Sequence, residues 1–161
     1  MTDPNMKKIL LIGYGNPVRG DDGLGPAIAE EVEELSIDGL TVDADYQLTV
    51  EDAASVADHE AVIFVDASVN GDEPFSFTRV NPRRQESFSS HSVSPEGVLG
   101  LAEELFQAKS EAYMLAVRGY SFDMFDEKMT VKALENKREA VRFLRSILES
   151  GSFKNHGYQS N

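Results

Sequence analysis

Cysteine is absent from this chain. That excludes disulfides, thiolate metal sites and a cysteine nucleophile. It also fits a reducing cytoplasmic setting, which is the expected location. No apolar run approaches the ~18 residues that suggest a membrane span. The apolar stretch after Met6-Lys7-Lys8 is only strand-length and ends at Gly13, so it does not read as a signal peptide. Basic residues are scarce, 15 against 28 acidic, for a formal charge of −13. A broad basic face for nucleic acid is therefore not expected. Neither nucleic acid nor a membrane is an expected partner. A Gly-Lys-Ser/Thr phosphate loop is also missing. Gly13 and Gly15 begin a dinucleotide fingerprint, but Val18 occupies the third glycine place.

What is present suits one domain. The chain has 161 residues, 41% of them hydrophobic, and at this size it can bury a core without staples. The expected organisation is a single domain over residues 1–150. Residues 151–161 form a polar, aperiodic tail, and Met1 to Asn5 a loose leader. Strands are predicted at Lys8–Ile12, Leu40–Tyr46, Ala61–Ala67, Phe75–Val80 and Tyr113–Val117. Leu24, Ile28, Val32 and Leu35 place a helix over Gly23–Leu35. Thr49 and Asp52 resemble a capping box for a short helix through Ala57. Ser94 and Pro95 open another helix, whose apolar stripe is read as Val98, Leu101, Leu105 and Phe106. Leu134, Val141, Leu144 and Leu148 mark the buried face of the last helix. Strands alternating with helices predict a doubly wound, mostly parallel sheet.

The most informative segment runs Gly13-Tyr14-Gly15-Asn16-Pro17-Val18-Arg19-Gly20-Asp21-Asp22-Gly23-Leu24-Gly25. It reads as strand, glycine-rich loop, helix, a place where open α/β proteins bind ligands. Many such loops cradle phosphate. Here two carboxylates stand at the mouth instead, which suits a cation or a proton. Asp66 ends the central apolar strand Val62-Ile63-Phe64-Val65, and His91 lies in the polar loop before the Ser94 helix. If the first and third strands are neighbours, Asp22, Asp66 and His91 share the crevice between their carboxyl ends. Two carboxylates and an imidazole suit zinc or nickel with a position left for water or substrate.

Each candidate also has a plain structural reading. Asp is favoured at helix entries, and Asp21 is the more structural of the pair, Asp22 the site acid. Asp66 as a strand-end acid is satisfied by loop N–H groups. His91 is an exposed loop histidine, and Ser89, Ser90 and Ser92 beside it lack a nucleophile-elbow pattern. His59 and His156 are poor ligands by position. Asn16 either forms a turn before Pro17 or positions a bound peptide. Arg118 and Gly119 either bound the same cleft or pair elsewhere.

Taken in order, these segments resemble the hydrogenase maturation endopeptidases. The resemblance is carried by Gly13-Tyr14-Gly15-Asn16, Asp21-Asp22-Gly23-Leu24-Gly25, Gln47-Leu48-Thr49, Phe64-Val65-Asp66-Ala67 and Ser90-His91-Ser92-Val93-Ser94-Pro95. It covers Lys8 to Gly119. It implies a three-layer sandwich, with a twisted five-stranded sheet between helices. It implies an enzyme that removes the C-terminal extension of a nickel–iron hydrogenase large-subunit precursor after nickel insertion. The nickel then arrives with the precursor, zinc or cadmium being able to substitute. The family's metal-contacting positions fall on Asp22, Asp66 and His91, which would also be catalytic, with Asn16 assigned to substrate. Some members have Glu at the position of Asp22, and Ala67-Ser68-Val69-Asn70-Gly71 lacks the second acid many relatives show after Asp66. A non-catalytic checkpoint module that binds metal-loaded precursor is the alternative, and a flavin or nucleotide module a further one. The expected partner is the precursor, and a monomer is favoured.

Overall fold

The computed structural model describes residues 8–84 and 93–151. Among the described residues ten elements follow in order: β1 (Ile9–Tyr14), a 3-10 turn (Gly20–Gly23), α1 (Leu24–Glu34), β2 (Leu40–Asp45), α2 (Asp52–Ala57), β3 (Ala61–Ser68), β4 (Phe75–Val80), α3 (Pro95–Phe106), β5 (Glu111–Arg118) and α4 (Val131–Ser150). The five strands form one sheet in the order β2-β1-β3-β5-β4. All pairings are parallel except β4 with β5.

Alternation along each strand divides the core. Ile9 and Leu11 of β1, with Ile63 and Val65 of β3, pack under α1 and α4. Leu10, Ile12, Val62 and Phe64 pack under α2 and α3 on the other face. The central strands are covered on both sides, so they are continuously apolar. This is the three-layer sandwich implied by the resemblance.

Two helix stripes differ from the expected ones. Leu105 and Phe106 of α3 are exposed, as is Leu134 of α4. They lie in the terminal turns of their helices, α3's last and α4's first, where a residue at helical spacing can run past the sheet. Smaller residues take the contacts: Ala102 in α3, and Ala133 and Ala140 in α4. The capping box at α2 forms by half. The Asp52 carboxylate accepts from the Thr49 N–H at 2.9 Å, but Glu51 is the N-cap and no side chain caps it. At α3 the Ser94 hydroxyl accepts from Gly97 N–H at 3.0 Å with Pro95 in the first turn, as expected.

β1 is hydrogen-bonded to β2 on one side and β3 on the other. The chain therefore reverses its winding direction at β1 and β3, and a crevice opens beyond their carboxyl ends.

Candidate active site

The start of α1 is pressed directly onto those strand ends. A Cβ on Gly25 would lie 2.3 Å from the Tyr14 carbonyl oxygen and 2.6 Å from that of Val65. Only glycine permits this approach. Gly15 has φ of +146°, and a Cβ there would stand 2.0 Å from the Asp22 carbonyl oxygen, so the loop closes tightly on itself. Its conformation carries Asp22 back over β1. The Asp22 carboxylate accepts from the Asn16 N–H at 2.8 Å. The Asn16 amide oxygen accepts from Val18 N–H at 3.1 Å. Asn16 thus has the turn-forming role, and its backbone steadies Asp22 as well.

Asp66 lies one residue beyond the Gly13–Val65 pair of the β1–β3 ladder. Its carboxylate accepts from Ala67 N–H at 2.8 Å. Burial pushes this carboxyl up to about 6. The Ala67 hydrogen bond opposes the shift, the charge of Asp22 adds to it, and a hydrogen bond from the Tyr14 hydroxyl opposes it. The two acids therefore sense each other across the crevice. Tyr14 is the functional candidate that patterning missed. Burial, the charge and hydrogen bond of Asp66, and the charge of Glu96 hold its phenol protonated well above the usual range. Its place at the end of β1, inside the Gly-Tyr-Gly step, was the available signal.

Among the described residues, no lysine or arginine forms a salt bridge with Asp22 or Asp66. Both carboxylates are half-buried, and burial disfavours the charged form of Asp66. Carboxylate oxygens are among the ligand types that divalent ions accept. His91, the expected third ligand, lies outside the described residues, as do Ser89, Ser90 and Ser92. Within the described residues no three such side chains gather.

The neighbouring acid does something different. Asp21 is fully buried. Its carboxylate accepts from the N–H groups of Tyr120 at 2.7 Å, Ser121 at 3.1 Å and Thr130 at 2.8 Å, and from the Thr130 hydroxyl at 2.8 Å. Thr130 in turn caps α4 through Ala133 N–H. Asp21 is structural, as expected, but it ties down the β5–α4 loop rather than the entry of α1. Arg118 is spent on structure as well. It donates to the carbonyls of Gly71 and Gly119 and lies over the Tyr120 ring. His59 sits just before β3, at the opposite edge of the sheet from Asp66, and its Nδ1 is 2.7 Å from the Ser55 carbonyl oxygen.

No protein-family model matches the chain, and no curated protein matches it. Solved structures do. A nickel–iron hydrogenase maturation protease, HycI from Thermococcus kodakarensis KOD1, superimposes with a TM-score of 0.69 at 24% identity, over 90% of this chain and 95% of that one. A hydrogenase 2 maturation peptidase from Thaumarchaeota archaeon SCGC_AB-539-E09 gives 0.65 at 22% identity, over 89% and 99%. The hydrogenase maturating endopeptidase HybD from E. coli gives 0.62 at 21% identity, over 89% and 94%. The chain has the fold of these maturation proteases.

Proposed function

We propose that this protein is a processing endopeptidase that removes the C-terminal extension of a nickel–iron hydrogenase large-subunit precursor after nickel insertion. The observation that carries this reading is the placement of two carboxylates at the β1–β3 crevice, Asp22 held by the loop after β1 and Asp66 at the end of β3, on a fold whose similar structures are maturation proteases.

In this reading the nickel is part of the substrate. Asp22 and Asp66 meet it with carboxylate oxygens, and His91 supplies an imidazole nitrogen. Zinc or cadmium serves as a stand-in for binding studies. The contact holds the scissile bond over the crevice, and fixed geometry of this kind is worth several orders of magnitude in rate. The Tyr14 hydroxyl hydrogen-bonds Asp66 and keeps its carboxylate in place. A carboxylate of the pair is the candidate general base for water. The Asn16 amide oxygen holds the turn, so it is the amide nitrogen of this side chain that is assigned to the bound peptide.

The test uses purified nickel-loaded precursor and mass spectrometry of the released C-terminal peptide. Wild type and His59→Ala should cut it, and His91→Ala should not, with unchanged melting of the His91 variant. Equal cleavage by His91→Ala removes that residue from the reading. Binding without cleavage by wild type favours the checkpoint module.

A further inference from the structure

Beside Asp22, a small cavity opens between the glycine-rich loop, the start of α1 and the end of β2. It is lined by Gly15, Pro17, Pro26, Ala44, Asp45 and Tyr46 and has a volume of about 200 Å³. Sites that enclose whole ligands run roughly 300–1,000 Å³, so this one suits a single side chain. The walls are mainly apolar: two proline rings, an alanine methyl and a tyrosine ring. They are also preformed. Proline locks its own backbone, and the Gly15 N–H is bonded to the Asp45 carbonyl at 3.0 Å. Asp45 turns its carboxylate to the Tyr46 N–H at 2.9 Å. A ligand group entering here meets walls that need little ordering, which preserves affinity.

The cavity adjoins the loop that holds Asp22, since a Cβ on its wall residue Gly15 would stand 2.0 Å from the Asp22 carbonyl oxygen. Gly15 and Pro17 flank Asn16, whose N–H is held by the Asp22 carboxylate. Tyr46 lines the cavity with 66% of its surface exposed, so its ring is open to an entering group. We propose that this cavity is a specificity pocket, which receives one aliphatic side chain of the precursor segment flanking the scissile bond. The proposal rests on the processing reading above and names how that site selects its peptide. A polypeptide threaded past Asp22 passes this loop. Asp45 is the one charged residue in the described lining, and its carboxylate is already bonded to the Tyr46 N–H, so an aliphatic side chain matches most of the wall.

Ala44 is the position to alter, because it is exposed on the edge strand β2 and contributes only a methyl to the wall. Ala44→Ile fills the pocket while keeping a good strand residue. It should lower kcat/KM on nickel-loaded precursor at least about tenfold, since a hydrophobic pocket discriminates single methylenes by roughly 10–200-fold. Precursors with each residue flanking the scissile bond changed in turn to alanine are then cut by both enzymes. Trimming one particular aliphatic residue should slow wild type and restore Ala44→Ile to within about threefold of it, a coupling that a general loss of fold cannot produce. Tyr46→Ala is the second variant, opening the rim at an exposed position, and should raise KM severalfold with kcat retained. If wild type cuts the precursor and neither variant changes its preference among the alanine precursors, the pocket assignment is overturned and the processing reading stands. If wild type cuts no precursor, the processing reading falls and this occupant falls with it.

Discussion

Asp21 and Asp66 show two ways to bury a carboxylate. Asp21 is surrounded by donors and serves as a structural hub. Asp66 has one backbone donor and one phenol, and faces another acid. Its carboxyl stands at about 6 against an ordinary 3.8. Below the lower value Asp66 is protonated in both folded and unfolded chains. As pH rises from there through the upper value, the unfolded chain releases the proton first, and stability is lost. Above it the loss is constant. Asp66→Asn should therefore be more stable than wild type by an order-of-magnitude ~1–3 kcal/mol at pH 8, with the advantage gone near pH 4. Urea denaturation of both proteins in chelator-treated buffer checks this. A constant difference across pH would mean that packing, not charge, sets it. The same variant should lose processing, as expected where function is placed on a strained group.

At the scale of elements, α3 shows how a helix can end against local preference. Its C-cap, Gln107, is left-handed with φ of 54°. Gln107 N–H bonds the Glu103 carbonyl and Ala108 N–H bonds that of Ala102, a closure usually built on glycine. A left-handed L-residue costs roughly 1–2 kcal/mol, while glycine adds roughly 0.5–1 kcal/mol of chain entropy. Gln107→Gly should stabilise by about 0.5–1 kcal/mol, read as a higher urea midpoint with the same slope. A lower midpoint would show that the Gln107 side chain holds the turn. The exposure of Leu105 and Phe106 beside it shows the same thing as the cap: the helix has already run beyond the sheet.

For the whole molecule, charge is the dominant surface fact. The formal charge is −13. Asp43, Asp45 and Glu51 crowd Asp52, whose carboxyl is raised first by burial and then by these three acids. The ion pairs Lys132–Glu73, Arg142–Glu139 and Arg145–Glu149 are exposed, and solvent screening leaves such pairs little weight. With 28 acidic residues against 15 basic ones, self-repulsion is expected to outweigh them. Raising sodium chloride from about 0.01 M to about 0.15 M shortens the screening length from ~30 to ~8 Å, so the melting temperature should rise. A fall would show that attractive pairs dominate. The similar structures at 15–24% identity share the fold although most side chains differ, because the sandwich needs apolar patterning and a few glycines rather than particular residues.

Much of this was written in local pattern. Strand runs such as Val62-Ile63-Phe64-Val65, the Ser94-Pro95 helix start and the glycine-rich loop carry their conformations through periodicity and backbone sterics, which neighbours in sequence decide. The adjacency of β1 and β3 followed as a conditional expectation from that alternation, and the sheet order confirms it. What tertiary structure alone decided was the partner of each polar group. Asp21 reaches Thr130, 109 positions away, and no local rule separates an acid that caps its own helix from one that anchors a distant loop. Tyr14 meets Asp66 only because parallel pairing brings the ends of β1 and β3 level. The pocket at Ala44 exists because β2 lies beside β1, so that Gly15 and Asp45 bond across the strands. Conformation was local and legible; the environment of each charge depends on contacts between remote segments, which sequence spacing does not encode.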